Sequence, residues 1–360
     1  MKTASLTTIT IALFSLLVTG EPAYAQQSDR QKPSVTINTD LVVTWAHVLD
    51  RKDGKVVKGL EIGDFALREE GKPQQISLVK EGQPVSVVIL VDGMRCVVPP
   101  ELEFQRSQQA LRQLGEDAEI ALMAWDSDAV TAQPFTRDQE TVAKRLQDRV
   151  SFFYALNDPR KGGDSPVRPD RDHYRPGEAI YQATKYLEKV ASPERRKVII
   201  IIAWARAPLH MALTHRQTAA EVSKLVEKTG TTIYGLYLAE KHQQGLSRLF
   251  SGSPLDVKGK KRRDGGSIEQ FAEQTGGSTL IGKPEEADDL LVKLTDLIRS
   301  SYTIGYYPEN SNFDGGFRRI SLELSSSGKA KAGKVTIKTR AGYRALRPSA
   351  TAASEAIPER

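Results

Sequence analysis

From Val35 to Leu49 the large apolar residues Val35, Ile37, Leu41, Val43, Trp45 and Leu49 fall on odd positions, with Thr36, Asn38, Asp40 and Thr44 between them. Period two predicts a strand with one buried face. Asp53-Gly54 follows as a turn signal. Further extended segments, Phe65 to Arg68 and Gln75 to Val79, flank a turn-like Glu70-Gly71-Lys72-Pro73. The texture changes at Pro84. VSVVILVD, ending at Asp92, is a β-branched run without alternation, as expected for a strand covered on both faces.

Helical and strand patterns then take turns. A helix is expected over Glu101 to Leu114, a strand over Ala118 to Trp125 and a helix over Gln139 to Val150. Another helix, Glu178 to Val190, ends at Ser192-Pro193 and leads into the buried strand KVIIIIAW. Thr214 to Thr229 reads as a helix stopped by Gly230, and TTIYGLYL as a strand. Helices near Ser267 to Gln274 and over Glu285 to Ser300 complete the series. Such an order predicts an α/β, doubly wound, mostly parallel sheet. Alternation returns with Tyr302, Ile304 and Tyr306, then Ile320, Leu322 and Leu324, then Val335 and Ile337, with Asp314-Gly315-Gly316 and Ser327-Gly328-Lys329 as turns. Neither end makes a convincing sandwich alone, so the two ends are expected to pair into a small β-sandwich-like module into which the α/β domain is inserted.

Composition alters this picture at the termini. Lys2, the apolar run Ile9 to Val18 and the small-x-small site Ala23 to Ala25 predict a signal peptide over residues 1–25. Export to the periplasm or the extracellular space follows, and no later stretch is apolar enough to span a membrane. The remaining organisation is an N-terminal β segment at 26–83, the α/β domain at 84–300, a C-terminal β segment at 301–346 and a disordered, Ala/Ser/Pro-rich tail at 347–360. Cys96 is the single cysteine, so no intrachain disulfide supports the fold. The net charge of +6 is spread along the chain; its one dense cluster, Lys258 to Asp264, has no interleaved aromatics and reads as a solvated loop, so no nucleic-acid partner is expected.

Several strings together resemble the von Willebrand factor type A-related secreted proteins of acidobacterial type. They are GLEIGDFALREEGKPQQISLVKE, VVILVDG, ALMAWDSDAVTAQPFT, FAEQTGGSTL, SYTIGYYPEN and RAGYRA. The resemblance spans nearly the whole chain after the signal peptide and implies a von Willebrand type A domain, which in many relatives carries a metal-ion-dependent adhesion site. That site takes an Asp-x-Ser-x-Ser string, a Thr from a second loop and a later Asp, whose oxygens hold a hard cation. Here Asp92 stands at the first position, but Met94 and Cys96 replace the serines, Glu178 the threonine, and Ala203-Trp204-Ala205 occurs where Asp-Gly belongs. Thioether and thiol are poor ligands for Mg²⁺ or Ca²⁺, so neither a metal nor a cofactor is expected.

The leading expectation is therefore a non-enzymatic binding or scaffold protein of the cell envelope. It would meet an unidentified protein partner through a rim of Asp92, Met94, Arg95, Glu178, Trp204 and Arg206, beside the long loop Asn157 to Gly177. One alternative is a Mg²⁺- or Ca²⁺-dependent adhesion protein using Asp92 and Glu178. Another is a cysteine-dependent enzyme using Cys96 at a strand-to-helix turn. No catalytic constellation accompanies that thiol: His47, His173, His210, His215 and His242 are scattered, and no nucleophile elbow or phosphate loop occurs. Asp164, Asp170 and Asp172 are spaced too irregularly for a calcium hand and read as a solvated turn balanced by Arg168, Arg171 and Arg175.

Overall fold

Antiparallel strands at the two ends of the chain enclose a parallel sheet in its middle. A computed structural model describes residues 41–92, 104–125, 129–156, 176–192, 194–204, 219–238 and 268–346. Before the apolar run lie β1 (Val42–Asp50), β2 (Phe65–Glu69), β3 (Lys72–Gln74) and β4 (Ile76–Glu81). The middle contains β5 (Val85–Asp92), α1 (Ser107–Arg112), β6 (Glu119–Trp125), β7 (Ala129–Thr136), α2 (Gln139–Leu156), α3 (Pro176–Val190), β8 (Arg196–Trp204), α4 (Ala219–Thr229), β9 (Thr232–Leu238), α5 (Ile268–Gln274), β10 (Thr279–Gly282) and α6 (Ala287–Arg299). After it come β11 (Tyr302–Tyr306), β12 (Phe317–Leu324), α7 (Ser326–Ala332), β13 (Val335–Thr339) and β14 (Gly342–Arg344).

The run without alternation is β5, buried at every position. It lies at the centre of a six-stranded sheet of order β10-β9-β8-β5-β6-β7, parallel except for the edge strand β7. Counted from β5, this is the order 3-2-1-4-5-6 of a Rossmann-like, doubly wound fold. Val87, Ile89 and Val91 meet α1, α2 and α6 on one face; Val88 and Leu90 meet α3, α4 and α5 on the other. Because β5 is followed by α1 on the first face and β8 by α4 on the second, the winding reverses between β5 and β8. Crevices for ligands form at the carboxyl ends of strands at such a switch.

The outer strands form two four-stranded sheets, β13-β1-β11-β4 and β14-β12-β2-β3. β1 pairs with β11 and β13, β4 with β11, and β2 with β12, so each sheet needs strands from both ends of the chain. Ala46, Val48, Phe65 and Leu67 share one core with Tyr302, Ile304, Tyr306, Ile320, Leu322 and Leu324.

Local differences from the sequence pattern have identifiable causes. α1 is shorter than Glu101 to Leu114: Phe104, at φ 41°, turns the chain just before it, and Gly115, at φ 101°, follows it. The turn expected over Glu70 to Pro73 closes within Glu70-Gly71, both at positive φ, which frees Lys72–Gln74 to form the edge strand β3, where Pro73 is tolerated. Ser327-Gly328-Lys329 is helical rather than a turn, because the Ser325 hydroxyl caps α7 by accepting from Gly328 N at 3.2 Å. The signal segment and the C-terminal tail lie outside the described residues.

Candidate functional site

The switch point is where the candidate rim begins. Asp92, the last residue of β5, is fully buried, stands in register with Trp125 at the end of β6, and is not without a polar or charged partner. Trp204 ends β8 in register with Leu238 at the end of β9. Since α3 leads back to the start of β8, its first turn, which carries Glu178, also belongs to the carboxyl-end side of the sheet. Glu178 is buried; its Oε1 accepts from Gln182 Nε2 at 3.0 Å, and Gln182 Oε1 accepts from Ala129 N at 2.7 Å. Gln182 thereby ties α3 to the β6–β7 hairpin. The residue spacing of one helical turn between Glu178 and Gln182 was a readable signal for that pair. Oε2 of Glu178 is buried with no hydrogen-bond partner among the described residues.

Met94, Arg95, Cys96 and Arg206 lie outside the described residues, as do the acidic turn of Asp164, Asp170 and Asp172 and the basic cluster Lys258 to Asp264. The rim is thus represented by Asp92, Glu178 and the backbone of Trp204. Among the described residues no group of three His, Cys, Asp or Glu side chains is placed to hold a metal ion. A hard cation takes roughly six oxygen ligands. Among the described residues the rim offers two buried carboxylates, Asp92 and Glu178.

The opposite end of the same sheet holds a cluster that no local sequence pattern signals. Arg196, the first residue of β8, is almost wholly buried. Its Nη2 donates to the Tyr234 hydroxyl at 2.5 Å, and its Nη1 donates to the Ser301 hydroxyl and to the Ile298 carbonyl. The guanidinium carbon lies 5.5 Å from the centre of the Trp45 ring. His47 Nε2 is 2.6 Å from the same tyrosine oxygen. Burial, reinforced by the charges of Arg196 and Lys338, holds the His47 imidazole well below the usual histidine range. Burial likewise lowers Arg196 and raises Tyr234. Four strands and the end of α6 supply this cluster, which joins the outer sheet β13-β1-β11-β4 to the α/β layer.

The seam continues at Thr275-Gly276-Gly277. Thr275 bridges Arg340, its hydroxyl accepting from Ile233 N at 2.9 Å. A Cβ on Gly276 would strike Arg340 N, and one on Gly277 would strike the Ile233 carbonyl. Arg340 Nη2 donates to Val43 O at 2.7 Å, and burial lowers this guanidinium to about 10. Nearby, the hydroxyls of Tyr306 and Tyr343 both donate to buried Glu69 Oε2, at 2.8 and 3.0 Å.

No family model matches the chain, and no curated protein matches it. Solved structures with a similar fold include BatB from Bacteroides thetaiotaomicron, 18% identical over 59% of this chain and 97% of that one, with a TM-score of 0.36. The VWA domain of SpRpn10 is 13% identical over 60% of this chain and 94% of its own, TM-score 0.33. A von Willebrand factor type A protein from Catenulispora acidiphila is 12% identical over 84% and 78% of the two chains, TM-score 0.39. The strand order and the helices on both faces, rather than these scores, define the α/β unit as a Rossmann-like, doubly wound fold.

Proposed function

We propose that this chain is an exported, non-enzymatic binding or scaffold protein of the cell envelope. It engages a protein partner through the carboxyl-end rim of its α/β unit without a metal ion. The reading rests on one observation above all: Asp92 and the end of β8 flank the switch point of a doubly wound sheet, where ligands of such folds bind. The flanking sequence supplies Met94, Arg95, Trp204 and Arg206, residue types enriched in interface cores. Export follows from the leader-like residues 1–25. No helix among the described residues is long and apolar enough to cross a membrane.

One observation favours a second reading, a Mg²⁺- or Ca²⁺-dependent adhesion site on Asp92 and Glu178: the buried Oε2 of Glu178 lacks a hydrogen-bond partner among the described residues. Photo-crosslinking separates the two. A photoreactive amino acid at position 206 is expected to give a discrete protein adduct in the native envelope, unchanged by chelator. The same group at exposed position 293 on α6 is expected to give none. Adducts lost on chelation support the metal-dependent site; equal adducts from both positions remove the rim from the account.

A further inference from the structure

Among the described residues, two strand edges on the same side of the protein are left unpaired by other strands. β10 ends the six-stranded sheet and β13 ends one of the four-stranded sheets. Gly235 N donates to Ser278 O, so the ladder with β9 uses the even-numbered residues and turns the backbone groups of Thr279 and Ile281 outwards. Arg51 N donates to Lys334 O across the β1–β13 ladder, and by the same alternation Ile337 and Thr339 face away from β1. Thr279, Ile281, Ile337 and Thr339 all line one cleft of about 460 Å³. At one end the edges are stitched by the Thr275–Arg340 bridge, where Ala341 N donates to Gln274 O at 3.2 Å.

The lining has a definite chemistry. Ile281, Ile320 and Ile337 supply apolar surface, and Glu269 and Glu273 project from α5. Tyr237 donates to Glu269 at 3.5 Å, while Glu273 is exposed. Both cations of the lining are already engaged: Lys338 Nζ donates to Ser278 Oγ at 3.0 Å, and Arg340 is held on the Val43 carbonyl. The volume lies within the range of pockets that hold ligands. Exposed strand edges bind extended peptides by adding a strand, with main-chain hydrogen bonds giving affinity and side-chain pockets giving choice.

We propose that this cleft takes an extended segment of a partner protein, added as a β-strand between β10 and β13, with a lysine or arginine of that segment directed at Glu273 and Glu269. The site is separate from the rim. It offers a second attachment point at the seam, and it stands whether or not the rim reading does.

The test uses the full chain and two fluorescein-labelled octapeptides, alternating valine with lysine or valine with glutamate. The lysine peptide is expected to bind saturably and about tenfold more tightly than the glutamate peptide. It is expected to slow amide hydrogen exchange at Thr279, Ile281 and Ile337 while leaving Asp92 unchanged. Glu273→Lys, at an exposed position, is expected to reverse the preference, and Ile337→Pro, which removes an outward N–H, to weaken binding of the lysine peptide. Exchange at those three amides unchanged by either peptide would overturn the proposal. So would slowing that appears without peptide as protein concentration rises, because a second copy of the chain is then the occupant.

Discussion

Arg196 and Trp204 stand at opposite ends of β8, and their surroundings differ in kind. At roughly 3.3 Å per residue the nine-residue strand holds them about 26 Å apart. Around Arg196 the hydrogen bonds are buried and come from β9, the end of α6 and Ser301 just before β11, with the Trp45 ring of β1 beside the guanidinium. Around the end of β8 lie two buried carboxylates whose sequence context lacks the oxygens of an adhesion site. The strings that carry the family resemblance fall at both ends: SYTIGYYPEN and RAGYRA lie in the outer sheets and FAEQTGGSTL at the seam, while VVILVDG runs along β5 to Asp92 at the rim. Seam residues are fixed by packing from both sides, because an unpaired buried polar group there costs about 1–3 kcal/mol.

The most severe way to break this contrast is to remove one end of the chain. Truncation after Ser300 deletes every strand paired with β1 and β4 among the described residues, and the partner β12 of β2. Limited proteolysis of that variant is expected to clear residues before Pro84, whereas the full chain protects them. Next comes Gly277→Ala, which forces a Cβ into the Ile233 carbonyl and is expected to lower unfolding stability by about 1–3 kcal/mol without altering the adduct from position 206. Tyr234→Phe, which leaves Arg196 Nη2 without that acceptor, is expected to fall in the same range of about 1–3 kcal/mol.

A pH titration sharpens the same contrast more gently. His47 is held below its usual range in the folded state, so the unfolded chain takes up this proton first as pH falls. Stability from this group is therefore intact above about pH 6.5 and declines below it, by at most about 1.4 kcal/mol per pH unit. His47→Gln is expected to flatten that slope in denaturant titrations between pH 7 and 5. Smallest in stability is the rim pair Trp204→Ala with Arg206→Ala: a change within about 0.5 kcal/mol, with loss of partner capture. The distance between rim and seam makes the effects of Gly277→Ala and the rim pair additive.

The legible parts of the fold were those in which one element carries its own pattern. VSVVILVD and KVIIIIAW announce strands covered on both faces, and the leucines of α6 announce a helix whose Leu291, Leu294 and Leu297 are buried in the core. β10 and β14 were missed because runs as short as Thr279–Gly282 and Gly342–Arg344 hold too few residues to show a period. α7 was missed because Ser-Ser-Gly is a poor helix former, held here by the Ser325 cap and by close contact of Gly328 with the Asp64 backbone. At the rim, Asp92 and Glu178 were legible from the resemblance, and their burial was not. The Arg196 cluster was illegible for a different reason. His47, Arg196 and Tyr234 are ordinary residues at strand positions, Ser301 is an ordinary residue just before β11, and only the fold brings them together.

Metal independence of the proposed rim is open to direct measurement. Calorimetric titration of the purified chain with Mg²⁺, Mn²⁺ and Ca²⁺ is expected to show no binding, and none gained or lost in Asp92→Ala. Sub-millimolar affinity for any of the three that vanishes in Asp92→Ala, with the fold intact by circular dichroism, would contradict it and restore a metal-dependent site with Glu178 as the replacement ligand.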